Sequence, residues 1–294
     1  MKIGLTANPT KPLALGLVRR AIERIGSAAE LVLSSETHAA LGGAAAGFPH
    51  APLEELRAEV LVAIGGDGTF LWSLHRCPLP LLPINAGTLG FLAEVDGTEA
   101  AAFESALSRL LEGRYLVEER MRLASQWNGQ NLPDAMNEIV VHTSQVAKMR
   151  IFELSVDRRP VGRIRADGVL IATPTGSTSY SLSAMGPIVE PTIGAIVVTA
   201  LAPFQTPPRA LLIDPLRTVG VRLVNPDKEG VVVVDGQSET RLPGGASVLA
   251  YRSPRPARFV RFGPRFFRQL QGKRILPWSE EVDAGDDADV PAPA

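Results

Sequence analysis

The chain has 294 residues, 45% hydrophobic and 21% charged, a composition that suits a folded globular protein with room for two domains. A net charge of −1 gives no argument for a nucleic-acid partner, and the single cysteine, Cys77, excludes an intrachain disulfide or a cysteine zinc cluster. No apolar run reaches the roughly 18–20 residues of a membrane span, and the first residues lack the apolar core of a signal peptide, so a cytoplasmic protein without a membrane partner is expected.

From the start the chain alternates short apolar runs with amphipathic stretches. Strand-like KIGLTA (2–7) precedes a helix predicted around Pro12–Ile25, with Leu13, Leu15, Val18, Ala21 and Ile22 at recurring helical positions. AELVLS (29–34), LVAI (61–64) and LPLLPIN (79–85) read as further strands, and a helix is predicted from about Thr98 to Leu111. This order predicts a Rossmann-like parallel α/β domain over 1–118.

The texture then changes. RLASQW, AMNEIVVHT, RIFELSVD, VGRIRADGVLIATP, AIVVTALA, TVGVRLV, GVVVVDGQ and SVLAYR are short, β-branched and punctuated by Gly, Pro, Asp or Asn. A β-sandwich-like domain is therefore expected over 119–256. Between Arg252 and Arg274 stand eight basic residues and no acidic one. The alternation in RFVRF predicts a strand with Arg on one face and Phe or Val on the other. A solvated face or a subunit contact is the weightier reading of these charges, and a phosphate-facing role the other. The last sixteen residues hold six acidic residues and no basic one, and the chain without them carries +5. Residues 278–294 are expected to form a disordered acidic tail.

Three segments carry candidate chemistry. Gly65-Gly66-Asp67-Gly68-Thr69 follows a buried-type strand and opens a helix, a pattern that can cradle phosphate with backbone N–H groups. Its bland reading is a glycine turn in which Asp67 caps the helix. A second glycine loop, INAGTLGFL (84–92), follows the next strand, and loops at neighbouring strand ends can face one cleft. Neither matches a Walker A loop or GxGxxG. In the third segment, RADGVLIATPTGSTSYSLSAMGP, eight of the eleven residues from Thr173 to Ser183 carry a hydroxyl. Such density suits a loop that binds something polar and then starts a helix, more than a plain Ser/Thr turn. The four histidines show no metal-ligand spacing, no metal site is assigned, and no G-x-S-x-G elbow is present.

Taken in order, GGDGT, Asn85-x-Gly87-x-x-Gly90-Phe91, Asn137-Glu138 and Asp167-Gly168 through Thr173-Pro174-Thr175-Gly176-Ser177-Thr178-Ser179-Tyr180 resemble the NAD kinase family, from about residue 3 to 275. GGDGT is shared with diacylglycerol, sphingosine and 6-phosphofructo-kinases, whereas the TPTGST segment and the INAGTLGFL loop favour the dinucleotide kinase. The resemblance implies ATP-dependent phosphorylation of the adenosine-ribose 2′-hydroxyl of NAD⁺ to give NADP⁺, with Mg²⁺ or another divalent metal. It also implies a homodimer or homotetramer and a segment near 257–277 that returns to the first domain. By the same resemblance Asp67 is the catalytic base. Asp67, Gly68, Asn137, Glu138, Lys148, Arg165, Asp167, Thr178, Ser179, Tyr180, Ser181, Leu182, Ser183 and Gln237 bind NAD. Gly65, Gly66, Gly68, Thr69, Asn85 and Gly87 line the ATP phosphates. Polyphosphate stays open as an alternative donor. A lipid or sugar-phosphate kinase of the GGDGT superfamily and a non-catalytic NAD(P) sensor are the rival readings. Ser179 stands where alanine is usual, Phe204 where many members have histidine, and Ala86 where many have a larger residue.

Overall fold

Four apolar runs, Lys2–Ala7, Glu30–Ser34, Val60–Gly65 and Leu81–Asn85, lie as parallel neighbours in the computed structural model, which describes residues 1–87, 90–205, 209–273 and 275. Across the sheet the order is His50–Ala51, Glu30–Ser34, Lys2–Ala7, Val60–Gly65, Leu81–Asn85, Ala257–Arg261 and Leu116–Arg120, with Val95–Asp96 paired to Leu81–Asn85. Strands covered on both faces need apolar side chains on both, which is why these runs do not alternate. Helices Pro12–Gly26 and Ala100–Leu111 cover one face, packing Leu17, Val18, Phe103 and Leu107 on Ile3, Leu5, Val62 and Ile84. Helix Asp67–Arg76 covers the other, burying Phe70, Leu71 and Leu74 with Leu61, Ala63, Leu81 and Phe259.

Leu13, expected on the apolar stripe of the first helix, is 47% exposed. Steps of about 100° per residue put positions 14, 17, 18, 21, 22 and 25 on the buried side and position 13 on the flank.

Residues 123–252 build two six-stranded antiparallel sheets. The first runs Leu211–Ile213, Ile196–Leu201, Gly168–Ala172, Glu138–Thr143, Gly230–Val234, Ser238–Leu242. The second runs Arg159–Ala166, Arg150–Val156, Val219–Leu223, Ser247–Arg252, Leu123–Trp127, Gln130–Ala135. Their inner faces share Val141, Phe152, Ile171, Val221, Val232 and Val248, the core of a sandwich. The architecture is the expected α/β plus all-β pair. VGRIRADGVLIATP, one run by sequence, is two strands in different sheets, and the chain crosses over at Asp167. Gly168 permits that crossing, because a Cβ there would stand 2.8 Å from the Val141 carbonyl oxygen.

After the sandwich, Ala257–Arg261 rejoins the first sheet, parallel to Leu81–Asn85 and antiparallel to Leu116–Arg120. The arginines of RFVRF do not share a face. They are three residues apart, so a period of two sends them to opposite sides. Arg258 is exposed, whereas Arg261 is buried and pairs with Glu94 at 3.0 Å. Phe259 and Val260 enter the cores on opposite faces of the sheet. Arg261 is thus an internal ion pair rather than part of a solvated charge run. The compact unit ends at Phe262, and the helix Phe266–Gly272 belongs to a separate unit. The acidic tail lies outside the described residues. Among those described, no helix is long and apolar enough to cross a membrane.

Candidate active site

The GGDGT loop sits at the carboxyl end of Val60–Gly65, beside the carboxyl end of the parallel strand Leu81–Asn85. The turn is tight: a Cβ on Gly65 would overlap the Thr69 side chain. Gly66, not Asp67, is the helix N-cap. Asp67 occupies the first turn, where the helix dipole favours a carboxylate, and its Oδ2 accepts the Phe91 N–H at 3.1 Å. A Cβ on Gly90 would overlap that carboxylate, so only glycine leaves space for Asp67 in this position. The two glycine loops are further joined by Ala86 N–H donating to the Gly65 carbonyl at 2.7 Å, and the buried Asn85 side chain donates to the Gly87 carbonyl at 2.6 Å.

The second half of the site is organised by a residue that motif reading passed over. Asp235 lies in the VDGQ turn with φ +50°, and its side chain is fully buried. Its Oδ1 accepts the N–H groups of Asn137 at 2.8 Å and Glu138 at 2.9 Å. Its Oδ2 accepts Met136 N–H at 2.7 Å and His75 Nε2 at 2.7 Å. A carboxylate only accepts, so Nε2 carries the hydrogen. His75 lies on the helix that Asp67 begins, which ties the Asn137-Glu138 motif to the first domain.

The TPTGST segment packs on the same motif. Thr173 N–H donates to the Asn137 carbonyl at 2.9 Å, and Thr173 Oγ1 donates to Met136 O at 2.7 Å. A Cβ on Gly176 would overlap the Asn137 backbone, so that glycine sets the contact distance. Two more of the eight hydroxyls bond backbone as Thr173 does. Ser177 Oγ bonds the backbone of Pro174 and Val189, and Thr178 Oγ1 donates to Thr175 O, whereas Ser181 Oγ is buried without a hydrogen-bond partner. Ser179 is different: its Oγ donates to Glu138 Oε1 at 3.3 Å. Tyr180 and Ser183 are exposed, and Leu182 is half-buried. The helix that this segment starts is a single turn, Tyr180–Ser183, after a 3₁₀ turn at Thr175–Thr178.

The Glu138 carboxyl is strongly perturbed. Burial, then the nearby Asp235 charge, pushes its pKa from 4.5 up to about 7, against hydrogen bonds from Ser179 and the Tyr180 backbone. Its Oε2 is buried without a hydrogen-bond partner, ready for a donor on a ligand.

The remaining candidates fall in two places. Gln237 Nε2 donates to the Gly68 carbonyl at 3.1 Å, which joins the VDGQ turn to the GGDGT loop. Asp167 precedes Gly168, which pairs with His142, whereas Ala172 pairs with Glu138. At about 3.4 Å per residue, the five residues from Asp167 to Ala172 set Asp167 about 17 Å along the sheet from Glu138. Arg165 lies beside it, its guanidinium 4.8 Å over the Phe204 ring, and Lys148 is exposed in the loop after Glu138–Thr143. Asp167 thus stands at the far end of that strand pair from Glu138. Besides Asp235 and His75, the motifs also missed Lys11, whose ammonium reaches the glycine loops.

Fold and site together define a two-domain nucleotide kinase. Residues 49–115 match the ATP-NAD kinase N-terminal domain and residues 136–262 the ATP-NAD kinase C-terminal domain. The NAD kinase of Thermoplasma volcanium is 34% identical over 94% of this chain and 98% of its own length, and that of Methanosarcina barkeri 37% identical over 92% and 98%. An NAD kinase from Archaeoglobus fulgidus in complex with ATP superposes with a TM-score of 0.75 at 30% identity, covering 93% of this chain and 98% of that one. The yeast NADH kinase complexed with NADH shares the fold, with a TM-score of 0.84 at 22% identity over 96% and 89%. The chain belongs to the ATP-NAD kinase family.

Two predictions follow from these contacts. Gly90→Ala displaces the Asp67 carboxylate and lowers kcat by about 100-fold or more, the usual contribution of a positioned base, with an unchanged circular-dichroism spectrum; near-normal kcat would contradict the placement. Folded Glu138 holds its proton to about pH 7 and the unfolded residue only to about 4.5, so its stabilising contribution is complete below pH 4.5 and is lost as pH rises through 7. The melting temperature of Glu138→Gln should therefore fall less than that of the parent protein between pH 5 and pH 8; parallel curves would refute the shift.

Proposed function

We propose that this chain transfers the γ-phosphate of ATP to the 2′-hydroxyl of the adenosine ribose of NAD⁺, forming NADP⁺ and ADP. The observation that carries this reading is the position of Asp67. Its carboxylate is held by the second glycine loop, and the loop it belongs to touches, through Gly68 and Gln237, the turn whose Asp235 supports Asn137 and Glu138. Gly65, Gly66, Thr69, Asn85 and Gly87 would face the donor phosphates. Asn137, Glu138, Ser179, Tyr180 and Gln237 would hold the acceptor.

In the reaction Asp67 accepts the proton of the 2′-hydroxyl, the oxygen bonds to the γ-phosphorus, and the bond to the β-phosphate oxygen breaks. Alignment of hydroxyl and phosphate, with N–H groups neutralising charge, supplies the rest of the rate. Glu138, with its pKa pushed up to about 7 in the empty pocket, would offer its unpartnered oxygen to the acceptor and, once ionised, accept a hydrogen bond from a sugar hydroxyl or an amino group.

Magnesium would enter as part of the ATP complex and spread the phosphate charge. Among the described residues no group of three or more His, Cys, Asp or Glu is placed to hold an ion. That fits an ion carried mainly by nucleotide phosphates with a carboxylate beside it. The ATP complex of the 30%-identical relative supports ATP as donor. A homodimer or homotetramer in the cytoplasm completes the reading, and in an oligomer the Lys148, Arg165 and Asp167 group of one copy could serve the pocket of another.

The test is product formation. Purified protein with Mg²⁺, ATP and NAD⁺ should yield NADP⁺, read by an NADP-specific dehydrogenase, with no phosphorylation of diacylglycerol or a sugar phosphate. Replacing ATP by polyphosphate identifies the donor. Tight NAD⁺ binding with no ADP formed would overturn the proposal in favour of a sensor.

A further inference from the structure

We infer that Lys11 is the cation that grips the β- and γ-phosphates of the donor, an inference that rests on the reading of the glycine loops as donor loops. Three parallel strands, Lys2–Ala7, Val60–Gly65 and Leu81–Asn85, end at the same edge of the sheet. The loop after the first of them is fixed by Asn8 N–H donating to the Ile64 carbonyl at 3.0 Å and by Lys11 N–H donating to Asn8 O at 3.3 Å. Pro12 then begins a helix with Lys11 as its N-cap. From there the side chain reaches across both glycine loops. Its Nζ stands 3.8 Å from where a Gly66 Cβ would lie and 3.4 Å from where a Gly87 Cβ would lie. Those two missing side chains are the space in which phosphate oxygens could meet both backbone N–H groups and the ammonium.

The ammonium lies in a cleft of about 590 Å³, with Asn8, Glu36, Gly66, Trp72 and Gln237 among the other residues of its wall. Two helices begin at this cleft, one at Pro12 and one at Asp67, and their positive ends add to the lysine charge. Glu36 cancels part of that field, so removing Lys11 leaves the cleft with an acidic wall. Lysine acts on phosphate as a point charge without reading the nucleoside. Lys11 therefore recognises the polyphosphate end of the donor, opposite Asp67, which faces the hydroxyl. As the bond from the γ-phosphorus to the bridging oxygen breaks and ADP leaves, the charge that collects on the β-phosphate falls beside the ammonium.

The test compares Lys11→Met and Lys11→Arg with the parent protein. Loss of a preorganised charge-stabilising donor commonly costs about 100-fold, so Lys11→Met should lose about that factor in kcat/KM for ATP. Its melting temperature should be unchanged and its NAD⁺ affinity should stay within about twofold, and Lys11→Arg should recover part of the loss. Calorimetric titration without NAD⁺ should show ATP binding weakened far more than AMP binding, since AMP lacks the outer phosphates. Equal losses for ATP and AMP, or unchanged ATP affinity, would overturn the assignment. The titration needs no turnover, so a parent protein that binds ATP but makes no NADP⁺ would overturn the proposed reaction alone. Selective loss of ATP binding in Lys11→Met would uphold the Lys11 assignment in that case too.

Discussion

Four hydrogen-bond donors converge on one buried carboxylate, that of Asp235, and the site depends on this convergence. Three are consecutive backbone N–H groups, from Met136, Asn137 and Glu138, and the fourth is His75 on the helix that Asp67 opens. Hydrogen bonds to a charged group contribute about 1.5–3 kcal/mol each. Left without the carboxylate, the buried N–H groups would lose their partners in a place water does not reach. Asp235 can sit at φ +50° because Asp tolerates the left-handed region better than most side chains. The turn it occupies also places Gln237 on Gly68.

Consequences spread from that point in both directions. Toward the first domain, His75 fixes one end of a helix whose other end carries Asp67, so Asp67 and the Asn137-Glu138 motif are tied to one rigid element. Toward the sandwich, the Asp235 charge adds to what burial does to Glu138, and together they push its carboxyl up to about 7. One carboxylate is thus enclosed by four donors, whereas its neighbour Glu138 keeps a buried oxygen without a partner. The glycines do complementary work. Gly65, Gly90 and Gly176 mark places where a side chain would collide with Thr69, Asp67 and the Asn137 backbone.

Much of the frame was legible in the sequence because it is written locally. Continuous apolar runs gave the parallel strands, GGDGT gave the strand-loop-helix turn, and short β-branched runs gave the sandwich. The misread parts depend on partners distant in the chain. Asp235 meets His75 from 160 positions away and Glu138 from 97, and nothing in VDGQ reveals which donors surround it. Lys11 reads only as a lysine before a helix-opening proline until the second glycine loop is brought to it. The hydroxyl-rich loop stands out in the sequence, yet Ser177 and Thr178 serve nearby backbone groups. Arg261 looked like surface charge because RFVRF does not show that its strand is inserted inside a sheet, next to Glu94.

The central claim is that Asp67 faces the attacking hydroxyl while the surrounding glycines face phosphate. Asp67→Asn preserves size and leaves an oxygen that can still accept the Phe91 N–H, so it isolates the loss of basicity from loss of shape. The direct measurement is single-turnover formation of NADP⁺ by this variant, alongside its dissociation constants for NAD⁺ and ATP. The account predicts dissociation constants close to those of the parent protein and a chemical step slowed by about 100-fold or more. A variant that binds both substrates and transfers phosphate at the parent rate would contradict it.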